Sequence, residues 1–405
     1  MQFKDVIGQA EVKKQLIQMV QNNRLSHALL FLGKEGSGAL SLARAFTQYL
    51  VCEKVNGINT SSNSTSSLFA EQTEEESQSA HNSEIVDSCG VCPACMKASG
   101  MVHPDIHFSY PVISRKSGDK PVSTDFLNEW RIFMKAHPYG NLFDWLQAIG
   151  AENKQGNITA AECNDINRKL SLKSFESEYK FLLMWMPELL GNQGNKLLKL
   201  IEEPPPNTVF IFVAEHEQLI LPTILSRTQL VKIPLLSRSD IKSALQSSGN
   251  LSPQQAEQIA LSSEGNYHDA LNHLEHSEEN WDEMLRGWMN SILKTGPVAQ
   301  VKWVEDISKL GREKQKQFLR YFIQLLEYSI RISIADPNSD SSSPFTDFAL
   351  KMNKITGITQ QEAIVEELDK ATYYIERNAN AKMLFHALTI KLYHIISNKS
   401  VILVN

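Results

Sequence analysis

A short apolar run, Ala28-Leu29-Leu30-Phe31-Leu32, ends at Gly33, passes through Lys34-Glu35-Gly36-Ser37-Gly38 and gives way to a helical pattern from about Leu40 to Val51. A buried strand that turns through glycines directly into a helix belongs to a strand–helix crossover unit. Such units build parallel sheets covered by helices on both faces. The same place can hold a phosphate-binding loop, whose glycines let backbone N–H groups curl round phosphate oxygens. That loop then needs a Lys for the β/γ-phosphates and a Ser or Thr for magnesium. Here those two positions hold Ala39 and Leu40, and Lys34 stands at the wrong end to substitute. The residues predict a tight strand-to-helix turn in which Gly33, Gly36, Ser37 and Gly38 are the relic of a nucleotide site. Productive ATP binding is not expected.

Further apolar runs at 106–112, 181–185, 209–213 and 230–233 bring the expected strands to five, alternating with helices. An ATPase would carry a magnesium-binding Asp and a water-polarising Glu at the end of its second-motif strand. The matching run, Phe181-Leu182-Leu183-Met184, continues into Trp185-Met186, and neither residue can bind a metal or act as a base. After Pro234 the strands stop. Ile241/Leu245, Ala256/Ile259/Ala260 and Ala270/Leu271/Leu274 have helical spacing, as do Phe318, Phe322, Leu325, Leu326 and Ser329. Ile364, Leu368, Ala371 and Ile375 repeat it, then Leu384, Leu388 and Leu392, while 336–344 reads as a Ser/Asp/Pro loop. At 405 residues the chain is too long for one core and predicts two to three domains. The expected boundaries are 1–235 for the α/β domain, 236–278 for a small helical domain and 279–405 for a helical bundle.

The formal charge of −6 has a local origin. Residues 61–88 hold six acids (Glu71, Glu74, Glu75, Glu76, Glu84, Asp87), nine serines and no Lys or Arg, so the rest of the chain is neutral. A neutral body offers no basic footprint for binding nucleic acid on its own. The 61–88 stretch is too poor in bulky residues to offset its ordering entropy and reads as a disordered insert, the alternative being an acidic recognition segment. No run of about 18 apolar residues predicts a membrane span. The opening Met1-Gln2-Phe3-Lys4-Asp5 has no apolar stretch of a secretory signal, so a cytoplasmic location with reduced thiols is expected.

Four of the five cysteines read as one group. Cys89-x2-Cys92-x2-Cys95 is a tight cluster, and Cys52 closes the helix after the glycine loop. Four thiolates suit tetrahedral zinc, and a long excursion between Cys52 and Cys89 costs only logarithmically in closure entropy. An iron–sulfur cluster is the alternative, although the fourth Cys-Pro of ferredoxin-type spacing is missing. His103 or His107 could replace Cys52. A closed four-thiolate site leaves no position for substrate and would be structural. Cys163, in Thr159-Ala160-Ala161-Glu162-Cys163, reads as a free thiol on a polar helix.

Several motifs together resemble the AAA+ subunits of the bacterial DNA polymerase III clamp loader, in its delta-prime branch. They are Phe3-Lys4-Asp5-Val6-Ile7-Gly8-Gln9, Leu25-Ser26-His27-Ala28-Leu29-Leu30-Phe31, His103-Pro104-Asp105 and Asn195-Lys196-Leu197-Leu198-Lys199-Leu200-Ile201-Glu202-Glu203-Pro204-Pro205. Leu221-Pro222-Thr223-Ile224-Leu225-Ser226-Arg227 follows at the family's distance. Gly265-Asn266-Tyr267-His268-Asp269-Ala270-Leu271 resembles its lid motif, and Arg377-Asn378-Ala379-Asn380 its collar. The resemblance implies an AAA+ P-loop-type sheet domain, a small helical lid and an all-α collar bundle for oligomerisation. It implies a non-catalytic subunit that helps to load a sliding clamp on primed DNA during replication. Its partners would be gamma/tau and delta subunits and the clamp, with DNA reached only through the complex, in a cytoplasmic, nucleoid-associated assembly. The family's zinc module falls at about residues 86–100, adding to the reading of Cys52, Cys89, Cys92 and Cys95.

The departures are informative. The hydrolysing gamma/tau members carry Lys-Thr in the loop and Asp-Glu on the second strand, and this chain has neither pair. The lid's nucleotide-sensing Arg is replaced by His268, and Thr228 stands where Cys often follows the finger motif. Ser226-Arg227 then has two readings: an intramolecular ion pair, or an arginine finger offered in trans to a neighbour's γ-phosphate. A clamp-loader-type ATPase with an unorthodox site is the alternative for the chain as a whole.

Overall fold

The structure, a computed structural model, describes residues 1–57, 87–116, 118–151, 154–248, 251–275, 281–334, 344–376 and 379–397. Contacts divide it into two compact units, Met1–Leu274 and Glu275–Asn405.

The first unit is built on five parallel strands: β1 (Ala28–Leu32), β2 (Ile106–Ser109), β3 (Lys180–Trp185), β4 (Thr208–Ala214) and β5 (Gln229–Lys232). They lie in the order β2-β3-β4-β1-β5, with β1 between β4 and β5 (Leu30 beside Phe212 and Leu230). Each expected apolar run became a strand, and the three central ones are buried on both faces. Leu29 and Phe31 join Phe181, Leu183, Val209 and Ile211 in one core, while Leu30 joins Leu182, Met184, Phe210 and Phe212 in the other. That period-2 division explains why the strands are continuous apolar runs, not alternating ones.

Helices α1 (Ala10–Gln21), α2 (Ala39–Val51), α3 (Pro93–Ser99), α4 (Leu127–Ala136), α5 (Leu142–Ala148) and α6 (Ala160–Ser171) come before β3. The first core takes Phe46 and Tyr49 from α2, Trp130 from α4 and Trp145 from α5; the second takes Ile166 and Leu170 from α6. Two short helices, α7 (Leu198–Glu202) and α8 (Pro222–Leu225), flank β4 and bury Ile201 and Ile224 in the second core. This is an α/β arrangement on a parallel sheet, with the glycine loop at the C-terminal end of a central strand, where open parallel sheets place their ligands.

Three more helices complete the unit: α9 (Arg238–Ser248), α10 (Pro253–Ser262) and α11 (Tyr267–Glu275). They enclose a core of their own around Ile241, Leu245, Ala256, Ala260 and Ala270, to which Tyr139 of the sheet body is added.

The second unit is helical among its described residues: α12 (Trp281–Asn290), α13 (Pro297–Lys309), α14 (Arg312–Ile334), α15 (Pro344–Ile355), α16 (Ile358–Glu376) and α17 (Ala381–Ser397). The residues that set the helical period in the sequence, from Phe318 and Phe322 to Leu368 and Leu392, are its buried core. Trp288 stacks on Trp303 with ring centroids 4.5 Å apart and donates from Nε1 to Thr389 Oγ1 at 3.0 Å.

Some expectations need adjustment. Residues 61–86 of the insert, 336–343 of the Ser/Asp/Pro loop, and Arg377 and Asn378 lie outside the described residues. The last two residues of the 61–88 stretch belong to the folded body. The carboxylate of Asp87 accepts from the backbone N–H groups of Phe3 and Lys4, both at 3.0 Å, and Ser88 is buried. The acid that looked like part of a charged run in fact anchors the N-terminal segment. Cys163 is a free thiol but does not lie on a polar surface. It is fully buried in the second core, because the apolar stripe of α6 is narrow and includes it.

Candidate functional site: a glycine loop, four clustered thiols and a surface arginine

The glycine loop has the backbone expected of it. Gly33 N–H donates to Ala214 O at 3.0 Å, tying the loop to β4, and Gly36 and Gly38 adopt φ values of 73° and 83°. These left-handed conformations favour glycine. Side chains of the chain itself pack against these glycines. A Cβ on Gly36 would meet Asn266 Oδ1 at 1.8 Å, and one on Gly38 would meet the Tyr139 ring at 2.8 Å. Tyr267 N–H donates to Gly36 O at 3.2 Å, and its ring meets that of Tyr139 edge-on at 4.9 Å. A cavity lined by the loop, Tyr139, Trp185 and Glu215 remains beside it. Ala39 and Leu40 are buried as the first residues of α2, and Lys34 is exposed. Trp185 and Met186 are buried at the end of β3.

His268 ties the loop to its neighbours. Its Nε2 lies 2.8 Å from Asp144 Oδ2, and its Nδ1 lies 3.0 Å from Glu35 Oε1 and 3.9 Å from Asp269 Oδ1. Asn141 Nδ2 also donates to Glu35 Oε1, at 3.2 Å, and Asn272 Nδ2 lies 3.2 Å from His268 Nδ1. One imidazole therefore joins α11, the glycine loop and the first turn of α5. Burial alone would lower its pKa, but the carboxylates of Asp144 and Glu35 override that and raise it to about 10. The position expected to sense nucleotide is occupied by a cation that the chain neutralises internally.

The sign of the pH dependence follows. The folded-state pKa lies above the ordinary value near 6.5, so the stabilisation is present in full below about pH 6.5 and lost as pH rises through about 10. His268→Gln should cost about 2–3 kcal/mol at pH 7, because two partly buried carboxylates lose their cation. Urea midpoints measured from pH 6.5 to 10 should fall more steeply for the parent chain than for the variant. Parallel pH profiles would show that the imidazole is neutral.

The four thiols meet as the spacing suggests. Sγ atoms of Cys52, Cys89, Cys92 and Cys95 all lie within 4.8 Å of one another, with Cys89 and Cys95 3.9 Å apart. A tetrahedral ion with metal–sulfur bonds of about 2.3 Å needs sulfurs about 3.8 Å apart. Backbone N–H groups point at the sulfurs: Cys89 N–H at Cys52 (3.3 Å), Cys92 N–H at Cys89 (3.3 Å) and Cys95 N–H at Cys92 (3.4 Å). Such donors favour the thiolate over the thiol. Cys92 is also the N-cap of α3, with Pro93 in the first turn, where a missing N–H costs nothing. The turn between Cys89 and Cys92 passes through Gly90 at φ 74°, packed against the Gln2 side chain. The cluster can hold a metal ion. His103 and His107 are not part of it; His103 Nδ1 instead accepts from Asp105 N–H at 3.2 Å.

Ser226 and Arg227 lie on the turn between α8 and β5, an edge strand of the sheet. Arg227 Nε donates to Glu202 Oε1 at 2.7 Å, and Nη1 donates to Thr223 O at 2.8 Å and to Ser226 Oγ at 3.2 Å. The ion pair of the first reading is thus formed, but between exposed partners. Thr228 Oγ1 donates to Leu225 O at 3.2 Å and closes the same turn.

Sequence reasoning did not find Glu35, Asp144, Tyr139 or Asn266 as the residues gathered at the loop. Only the Gly-Asn-Tyr-His run carried a signal, and nothing in it names a carboxylate 124 positions away.

Among the described residues, no helix is long and apolar enough to cross a membrane. A sequence model of the family described as "DNA polymerase III, delta subunit" matches residues 8–76 and 56–237. The chain is 23% identical over 238 residues to DNA polymerase III subunit delta' of Bacillus subtilis, covering 58% of this chain and 51% of that protein. It is 22% identical over 305 residues to subunit tau of the same organism, covering 74% of this chain and 41% of that one. The match therefore spans about half the length of these curated relatives or less. A solved gamma subunit-related protein of Thermotoga maritima aligns over 94% of this chain and 98% of its own, at 15% identity and a TM-score of 0.35. With more than half of its length matched by the family model, the chain belongs to the DNA polymerase III delta-subunit family.

Proposed function

We propose that this chain is a delta-prime subunit of a bacterial clamp loader, a non-catalytic member that supports an assembly able to place a sliding clamp on primed DNA. The observation that carries this reading is a glycine loop without its lysine and hydroxyl, packed against by other parts of the chain. Ala39 and Leu40 stand where a phosphate-binding loop needs Lys and Ser or Thr, and Asn266, Tyr139 and the Glu35–His268 pair pack against the loop, while Arg227 stands at the surface beside the sheet edge. A domain that keeps the sheet and loop, lacks the residues for hydrolysis and presents an arginine suits a role in a neighbour's site. The delta' and gamma/tau names of its relatives support the choice of partners: gamma/tau and delta subunits, and the clamp through them. The neutral charge outside 61–88 favours contact with DNA through the complex, and the place of work would be the cytoplasm. The three-part division at about 235 and 278 into sheet domain, lid and collar belongs to this reading. The metal of the Cys52–Cys89–Cys92–Cys95 cluster is assigned as zinc, because four sulfurs this close fit a single tetrahedral ion better than a multi-iron cluster.

The test is the purified chain with ATP. Calorimetry should register no saturable binding up to millimolar nucleotide, and phosphate release should not exceed background. Saturable turnover that disappears in Ser37→Ala would overturn the reading in favour of an ATPase with an unorthodox site.

A further inference from the structure

The guanidinium of Arg227 is held differently along its two edges. Nη1 is committed to the turn from which the side chain grows, through Thr223 O and Ser226 Oγ. The opposite edge faces Glu202, the last residue of α7 and 25 positions earlier in the chain. Nε donates to Glu202 Oε1 at 2.7 Å, and Nη2 pairs with the same oxygen. With Nη1 tied down, the Nε/Nη2 edge is the one left to grip two oxygens of an incoming anion side by side. A carboxylate occupies it. The pair is open to solvent, with 34% of the Arg227 side chain and 44% of the Glu202 side chain exposed, so exchange for another anion is inexpensive.

Resting on the reading of Arg227 as a finger, we propose that Glu202 is its internal counter-ion. In the free chain Glu202 takes the edge that the terminal phosphate of a neighbour's nucleoside triphosphate takes in the assembly. Glu202 is then a positioning residue with two effects. It keeps the guanidinium on the turn in an orientation already suited to a planar pair of oxygens, and it competes with the phosphate, which sets the triphosphate concentration at which the finger engages. A phosphate carries more charge and more acceptor oxygens than one carboxylate, so it wins the exchange once it is delivered at this edge.

The test uses the full chain carrying Glu202→Gln, reconstituted with the ATPase subunits of its own complex. This substitution keeps the size of the side chain and removes the competing charge. The KM for ATP in DNA-stimulated hydrolysis should fall two- to fivefold, with kcat changed by less than twofold. Combining the change with Arg227→Ala should abolish the gain. In the free chain, the Arg227 Nε–H signal in ¹H–¹⁵N spectra should be protected from exchange in the parent and lose that protection in Glu202→Gln. An unchanged or raised KM in Glu202→Gln, with Arg227→Ala still lowering turnover, would leave the finger standing and overturn the role of Glu202. An equally exposed Nε–H in parent and variant would overturn it too. If Arg227→Ala has no effect on turnover, the finger reading itself fails, and this inference with it.

Discussion

Cys92→Ser protein should leave purification with almost no zinc, where the parent carries about one ion per chain. The effect should be large, because binding of a structural zinc is folding free energy, of order 10 kcal/mol in small modules. In this chain the loss has a defined route. Cys52 is the C-cap of α2 and Cys89 follows Ser88, whose hydroxyl accepts from Gln48 Nε2 at 3.1 Å on that helix. Gln48 Oε1 in turn accepts from the N-terminal ammonium of Met1 at 2.7 Å, and Phe3 packs on Tyr49 with ring centroids 5.5 Å apart. Without the ion, four thiols lose their common partner, and Cys92, Ala94, Cys95 and Met101 are left, among the described residues, as the knuckle's only buried apolar contacts to the first core. Amide exchange should therefore accelerate over 87–101 and over the first six residues, while the β3–β4 ladder and α6 keep their protection. The melting temperature of the first unit should fall by about 10 °C or more, the shift expected when several kcal/mol are lost from a domain of this size. A chelator such as EDTA should reproduce the change on the parent, and Cys163→Ser should retain the metal, since Cys163 lies in a different core. Metal analysis that finds no ion in parent protein at neutral pH, without chelator, would refute the assignment.

The second large effect belongs to Arg227. Arg227→Ala should leave folding and subunit assembly unchanged but lower both DNA-stimulated ATPase and clamp loading by the reconstituted complex. The structural cost is small: an exposed ion pair with Glu202 contributes about 0–1 kcal/mol. The chemical cost is not, because an arginine supplied in trans to a developing phosphate charge accelerates GTP hydrolysis by roughly 10³–10⁵ where it has been measured. The site served by Arg227 should slow by a comparable factor, and total turnover should fall by that site's share of the work. Arg227→Lys should behave like the alanine variant. A single ammonium on a flexible stem cannot reproduce a fork whose Nη1 edge is anchored on Thr223 O while the other edge meets the anion. Full loading by an Arg227→Ala complex would make Arg227 an ordinary surface charge.

The sequence by itself determined the elements and their kind. Apolar runs such as Ala28–Leu32 and Thr208–Ala214 had to become buried strands because both of their faces meet a core, and the spacing from Phe318 to Leu392 had to form helices with buried stripes. The thiol cluster was equally legible, since three of its members lie within seven residues and the fourth at a helix end. Tertiary structure alone decided what those elements do to one another. The glycine loop read as a relic turn, but its neighbours Asn266, Tyr139 and His268 are ones that no periodicity brings near residues 35–38. Asp87 read as the end of an acidic run and became an anchor for the N-terminus, and Glu202 read as one letter of a motif and became the partner of Arg227. Local patterns are fixed by each residue's neighbours along the chain. Ion pairs, caps and filled cavities depend on distances of about 3 Å between side chains that only the folded backbone brings together.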